Sequence, residues 1–453
     1  MERVDVAIVG GGPAGSSAAH AAATGGADAL VIEKGVPRAD RDRLGPDSTD
    51  AAGILDYWVD IMGIHPDEFD EGVVQRELNR AEFRGPEESA TLTSTGIDSS
   101  YDEFGYTFQR ARFDDWLRDR AEDAGAEYRV GTSVRGVDTD PSAAPGDDDP
   151  RHALELADGG TVGADFVVLA DGPQRTVTNR VLDEYLPADS QASERLASRT
   201  ANHIAYQEYR RVPEDVFEEV NDAIVFWWGV MPGETAYPWI FPNADRVCRV
   251  GLTMPIGLDI DEVDASEYAL LREDDESIPQ GGEYIRRLLE WQYGDEYDVE
   301  EDFPVVEEAG KRNGTETYPI SSTRPIDSPV DAGIAVAGGA MGTTSAFHEG
   351  GDHVAVRTGA IAGELAAEGD LAAYNRRWKE AIGDEIVRNV TMADMVAEYG
   401  PDDWNRVIGA ADAMLAAETG GSLLSQPYRS GWESAKLLLG YKWNKRRVKK
   451  DYV

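Results

Sequence analysis

Val4-Asp5-Val6-Ala7-Ile8-Val9-Gly10-Gly11-Gly12-Pro13-Ala14-Gly15 stands near the start of the chain. Val4 to Val9 form a short apolar run, the pattern of a buried parallel strand. The glycines then follow G-x-G-x-x-G spacing, and the small residues Ala14 to Ala23 suit a helix packed close to a sheet. Residues 27–33 return to a strand that ends on Glu33. Together they make a βαβ unit. Gly10 permits the tight turn, Gly12 lets a pyrophosphate approach the backbone, and Gly15 allows close helix–strand packing. Pro13 and Ala14 begin the helix, whose free amides and positive dipole end favour phosphate. Glu33, with Lys34 beside it, can accept hydrogen bonds from both ribose hydroxyls of a dinucleotide. A lone glycine triplet would say little. Strand, loop, helix, strand and acid in order point to a dinucleotide.

The chain has 453 residues, enough for one large composite fold or two to three domains. Its net charge is −43, with 43 basic and 86 acidic residues, which argues against a nucleic-acid partner. Hydrophobic residues make up 41% and there are ten tryptophans, so a packed core is expected rather than disorder. Cys248 is the only cysteine, which excludes an internal disulfide, a Cys-rich zinc site and an iron–sulfur cluster of its own. The chain opens directly in a strand, so no cleavable signal is expected. No apolar run approaches the ~18 residues of a membrane span. A cytoplasmic protein is expected. Arginines number 35 and lysines eight, and acidic residues crowd the loops, as in Asp147-Asp148-Asp149. Such self-repulsion is screened in concentrated salt, so the composition reads as adaptation to a high-salt cytoplasm.

Further along, Ile54, Leu55, Trp58, Val59 and Met62 recur at helical spacing, and residues 89–95 alternate like an antiparallel strand. Arg110 to Ala124 reads as an amphipathic helix, 138–151 as a solvated hairpin tip, and 165–172 as a buried strand opening into a turn. From about 196 to 322 alternating stretches suggest a mixed or antiparallel sheet. An apolar strand at 333–337 and a helix near 351–367 follow, and the chain from 371 is mostly helical. The expected fold is α/β, α+β overall. A Rossmann-like dinucleotide domain is split over 1–85, 105–195 and 323–370, a substrate-binding sheet domain covers 86–104 and 196–322, and a helical region with a basic tail covers 371–453.

Later motifs narrow the cofactor. The N-terminal Gly-Gly-Gly-Pro-Ala-Gly form resembles FAD-dependent oxidoreductases. Arg110-Ala111-Arg112-Phe113-Asp114-Asp115-Trp116-Leu117 resembles their R-x-x-F-D-x-x-L element, whose arginine lies near the cofactor. Ala170-Asp171-Gly172-Pro173 resembles their alanine–aspartate–glycine turn. Read alone, each is ambiguous: Arg110 also fits a surface charge at a helix start, and Asp171-Gly172 a plain turn. Their order and spacing together carry the resemblance.

Tyr237-Pro238-Trp239-Ile240-Phe241-Pro242 is similar to the Y-x-W-x-F-P signature of the geranylgeranyl reductase family, built on a para-hydroxybenzoate hydroxylase-like FAD fold. In that family a glycine-x-glycine follows, and only Gly251 of Gly251-Leu252-Thr253 matches it. The resemblance implies that Tyr237, Trp239, Phe241 and Pro242 shape an isoprenoid pocket beside the flavin. An aromatic wall suits an apolar polyene, although a core strand would alternate in the same way. The family's G-D-A-x-G element is altered to Gly338-Gly339-Ala340-Met341-Gly342, followed by Glu349-Gly350-Gly351. Gly338, Gly342, Gly350 and Gly351 are thereby expected at the cofactor. Gly339 stands where the family's aspartate contacts the ribityl chain. The family's Cys-Gly pair after the second strand is replaced by residues around Arg43-Leu44-Gly45, where Arg41 and Arg43 are candidates for the FAD phosphates.

His348, Glu349 and His353 fall near the expected isoalloxazine and are candidate proton donors, with helix-start capping as the alternative. No third ligand at helical spacing supports a metal there. At the chain's end, Trp432, Ala435, Leu438, Leu439 and Trp443 share a helical face followed by Lys442, Lys445, Arg446, Arg447, Lys449 and Lys450. Residues 432–450 suit peripheral contact with an anionic membrane, or equally a docked helix that neutralises the acidic body. The resemblance implies an FAD enzyme that saturates isoprenoid double bonds. NAD(P)H or ferredoxin would act as a transient donor, since no second glycine-rich βαβ unit is present. The rival readings are a flavin monooxygenase and a non-catalytic flavin- or lipid-binding protein.

Overall fold

The N-terminal apolar run forms the strand Glu2–Val9 inside a seven-stranded sheet. It lies parallel to Ala29–Ile32 on one side and Thr161–Leu169 on the other. Glu127–Arg129 extends the parallel set beyond Ala29–Ile32, and Ile334–Val336 extends it beyond the end of Thr161–Leu169. Val6, Ala7 and Ile8 are fully buried, as strands covered on both faces must be. The other half of Thr161–Leu169 pairs with an antiparallel hairpin of Val134–Thr139 and His152–Leu156, whose Asp-rich loop is 140–151. This computed structural model describes residues 1–37, 53–197, 199, 202–310, 312–321, 324–418, 445 and 447–449.

The helix Pro13–Thr24 packs on Asp352–Ala367, far away in sequence. A Cβ at Gly359 would lie 2.0 Å from the Ala14 carbonyl oxygen, and one at Gly363 would lie 2.0 Å from that of Ala18. The two backbones therefore approach as closely as glycine permits. This contact ties the helix Asp352–Ala367 to the N-terminal strand–helix unit.

A second seven-stranded sheet runs in the order Thr315–Ser321, Asn202–Arg211, Val247–Pro255, Tyr237–Pro242, Ala223–Trp227, Arg80–Arg84, Ser89–Leu92. Its neighbours are antiparallel except for Ala223–Trp227 beside Arg80–Arg84. Arg80–Arg84 thus joins the second sheet although it precedes the boundary expected at residue 85. Between the sheets, Gly105–Phe108 pairs with Gly53–Leu55 and Val74–Leu78. This ladder takes Ile54 and Leu55 out of the helix expected there, which runs only over Asp56–Met62. Gly105 permits the pairing, since a Cβ there would come 2.4 Å from the Ile54 carbonyl oxygen.

Helices Tyr374–Val396 and Pro401–Glu418 follow. Of the basic tail, Arg447 pairs with Asp394 at 2.7 Å and Val448 is buried against the first core. Trp432 to Trp443 lie outside the described residues, as does Arg43. No helix among the described residues is long and apolar enough to cross a membrane. Cys248 is fully buried in the second sheet, and burial pushes its thiol up to about 12.

Candidate active site

The parallel strands of the first sheet end at one cavity of about 720 Å³ that continues to the face of the second sheet. At its first end lies the glycine loop. Gly10 has φ +101°, and a Cβ there would come 2.4 Å from the Ala170 carbonyl oxygen. A Cβ at Gly15 would come 1.8 Å from the Gly10 carbonyl oxygen. Both positions are closed to side chains on backbone geometry alone. Gly12 is different: no atom lies within 4 Å of its missing Cβ, and it lines the cavity. The helix beginning there has no side-chain cap and no acidic residue in its first turn. Its orphan amides and positive dipole end therefore face a space able to take a pyrophosphate. Pro13 and Ala14 line the same space.

Glu33 closes this end. One carboxylate oxygen accepts from the Gly11 amide at 2.6 Å and the other from Gly35 at 2.5 Å. A carboxylate offers about four lone-pair sites, so capacity remains for ribose hydroxyls. Lys34 lines the cavity and reaches Gln174 Oε1 at 3.4 Å. Arg110 is buried at the cavity wall, paired with Asp114 at 2.6 Å and with Asp352 at 3.1 Å. Gly172 lines the cavity with φ +72°. Asp171 lines the cavity too, and its carboxylate accepts from the Val177 amide at 2.7 Å and the Thr178 hydroxyl at 2.5 Å, holding the start of Thr178–Tyr185.

In the altered glycine element, Gly339, Gly350 and Gly351 line the cavity, whereas Gly338 and Gly342 do not. The last two have φ +63° and +77°, and Cβ atoms there would collide with Ala14 and the Arg324 carbonyl. They shape the loop. The loop is fixed from behind by Arg175, a residue no local pattern marks. An uncapped helix start, an acid at the second strand and a volume open to both fit FAD.

At the far end, Tyr237, Trp239 and Phe241 share one face and line the cavity. Pro242 does not; its carbonyl accepts from Thr107 Oγ1 at 2.7 Å. Gly251 is needed here, since a Cβ would fall 2.5 Å from the Trp239 ring. The wall is completed by Phe83, Phe226, Trp228 and Phe347, which sequence reading missed. Phe83 stacks on Phe226 and Trp228 at ring distances of 5.9 and 5.6 Å. The parallel pairing of Arg80–Arg84 with Ala223–Trp227 brings them together, and local sequence carries no sign of it.

Between the two ends lie the polar candidates. Burial, and then His353, pull the His348 imidazole down to about 3, so the ring is neutral. His348 Nδ1 accepts from the Gly350 amide at 3.2 Å, leaving the ring proton on Nε2. His353 stacks under Trp58 at 4.4 Å and pairs with Glu385 at 2.5 Å. Glu349 lines the cavity, accepts from Thr253 Oγ1 at 2.5 Å and pairs with His203, a residue sequence reading did not single out. Among the described residues no cluster of three or more His, Cys, Asp or Glu could hold a metal ion.

Comparison with known proteins adds to this geometry. An FAD binding domain model matches residues 3–194. The chain is 27% identical over 417 residues to the digeranylgeranylglycerophospholipid reductase of Methanothrix thermoacetophila, covering 90% of each. It is 28% identical over 422 residues to digeranylgeranylglycerophospholipid reductase 1 of Methanothermobacter thermautotrophicus, covering 90% of this chain and 91% of that one. A geranylgeranyl bacteriochlorophyll reductase-like protein from Thermoplasma acidophilum superposes with a TM-score of 0.68 at 21% identity, over 100% of this chain and 98% of that one. That likeness shows the fold.

Proposed function

Starting from an FAD-dependent oxidoreductase related over 90% of its length to digeranylgeranylglycerophospholipid reductases, we propose that it saturates carbon–carbon double bonds in the isoprenoid chains of a membrane glycerolipid. The observation that carries this reading is the continuity of one cavity from the glycine loop to the aromatic wall of Phe83, Phe226, Trp228, Tyr237, Trp239 and Phe241. A polyene gains affinity there by apolar burial, and the rings carry no charge to attract a water shell. Bound reduced flavin supplies the hydride. The chain's own work is to hold the alkene against it, to exclude water, and to deliver a proton to the second carbon. Glu349 is our candidate for delivering that proton, because it lies on the cavity wall and is paired with His203, while the His348 ring is neutral.

NAD(P)H or ferredoxin reduces the flavin transiently in this reading. The lipid is met at the inner face of the cell membrane, with the Trp- and Lys-rich segment 432–450 as the contact ahead of Arg447 and Val448, which dock on the body. The acidic coat fits a salt-rich cytoplasm. The test is anaerobic. The FAD-loaded protein is reduced and mixed with digeranylgeranylglyceryl phosphate in vesicles, and flavin reoxidation and lipid mass are followed. Paired gain of hydrogens in the lipid is expected. A flavin that no polyprenyl lipid reoxidises sinks the proposal, and a hydroxylated aromatic product with oxygen uptake would favour the monooxygenase.

A further inference from the structure

Glu349 adopts φ +55°, a left-handed conformation that L side chains rarely take, and its amide donates to the Ser345 carbonyl at 3.1 Å. Its carboxylate, 5% exposed, is held between two residues of the second sheet: Thr253, and His203, whose Nδ1 faces the other oxygen. His203 is not on the cavity wall. It lies on Asn202–Arg211 with its side chain 14% exposed, between uncharged ladder partners Pro255 and Ile320. The charges acting on it are Glu349 on the cavity side and the exposed Glu234. A carboxyl on the inner wall thus meets an imidazole that reaches solvent.

We infer that His203 resupplies Glu349 with protons from solvent, so that the pair is the proton source for the reduced double bond. This rests on the reading of the cavity as a double-bond reductase site. The step balances. The His203 imidazolium lends its Nδ1 proton to the Glu349 carboxylate; one alkene carbon gains the hydride pair and its neighbour gains that proton from Glu349, which is again a carboxylate. The neutral His203 ring then takes a proton from solvent at the surface. Without such a route, Glu349 would act once and then wait for the cavity to open. Burial disfavours the His203 cation, but the Glu349 carboxylate outweighs it and Glu234 adds to the pull, so the ring titrates above the ordinary histidine range. The reservoir is therefore full at low pH and empties as pH rises through that raised value.

Two measurements test the inference on the full, FAD-loaded chain. The first is NMR titration of the histidine rings, with the His203 signal assigned through His203→Asn. His203 should titrate above the ordinary value and fall in Glu349→Gln; titration at or below the ordinary value overturns the inference. The second is reoxidation of the reduced flavin by digeranylgeranylglyceryl phosphate. His203→Asn should slow it roughly tenfold to hundredfold and remove the alkaline fall of the wild-type rate, with KM and reoxidation by ferricyanide unchanged. Flavin absorbance checks that the variant is folded, and His203→Gln gives a second side chain at the position. A variant that keeps the wild-type rate and pH profile overturns the inference. If no lipid reoxidises the wild-type flavin while His203 still titrates high and responds to Glu349→Gln, the reductase reading fails and takes the proton-source role with it, leaving only the coupling of the two groups.

Discussion

Arg175 donates to the carbonyl of Gly339 at 3.0 Å, from a guanidinium that is fully buried behind the cavity wall. The same group reaches Ala340 O at 3.1 Å, Asn202 Oδ1 at 3.0 Å and the hydroxyl of Ser321. These hydrogen bonds all go to neutral acceptors, and burial pulls the guanidinium down to about 10, against Asp171. It stays a cation at neutral pH. The loop that carries glycine at position 339 is therefore held from behind by a charge, joined to two strands of the second sheet, Asn202–Arg211 and Thr315–Ser321. A loose loop is not the consequence of that glycine; a missing acceptor on the cavity side is.

Gly339→Asp is expected to tighten FAD. A Cβ there meets Pro173 at 3.4–3.5 Å and the Gly172 carbonyl carbon at 3.8 Å, which is ordinary contact, and the backbone is not left-handed. A carboxylate restores one charged acceptor near the Arg175 cation. Such a hydrogen bond contributes about 1.5–3 kcal/mol, roughly a 10- to 100-fold lower Kd. Flavin fluorescence titration reads it directly. An unchanged or weaker Kd would mean that the position does not face the cofactor.

Glu385 offers a prediction in pH. Burial resists its ionisation, but the His353 hydrogen bond and charge, with Arg357, hold the carboxyl down to about 2. A depressed carboxylate stabilises the fold above its unfolded value of 4.5, and that contribution drains as pH falls toward 2. Glu385→Gln should therefore be less stable than wild type above about pH 5, by at most ~3 kcal/mol, with the gap closing on acidification. Urea unfolding at constant high salt, repeated across pH, measures the gap. A gap that does not change with pH would show that the pair is not what holds Trp58 and His353 in place.

The cofactor end of the site was readable in sequence because its logic is local. Gly10, Gly12, Gly15 and Glu33 sit on one strand–helix–strand unit, where spacing alone fixes what each can touch. Tyr237, Trp239 and Phe241 were readable for the same reason, since alternation along one strand puts them on one face. Phe83 and Phe226 were not. Their stacking needs a parallel pairing between strands from distant parts of the chain, which no periodicity records. Arg175 and His203 were hidden differently: each looks like an ordinary polar residue, and only the fold shows that one is fully buried and the other beside Glu349. Asp171 lines the cavity, and its second task, holding a helix start at Val177 and Thr178, was not legible in the sequence.

Gly359 gives the most direct test of the link between packing and cofactor. Its missing Cβ would overlap the Ala14 carbonyl, and Ala14 lies in the first turn of the helix that faces the pyrophosphate space. Gly359→Ala must push the helices Pro13–Thr24 and Asp352–Ala367 apart. Overpacking of this kind costs about 1–3 kcal/mol of stability. Because the displaced residue belongs to the phosphate-facing turn, FAD should also bind more weakly. Gly400→Ala is the control for affinity: no atom lies within 4 Å of that Cβ, and FAD binding should not move even if the helix start it caps loses some stability. Stability lost with FAD affinity kept would place the strain away from the glycine loop. Both kept would mean that the two helices have room the close contact does not suggest.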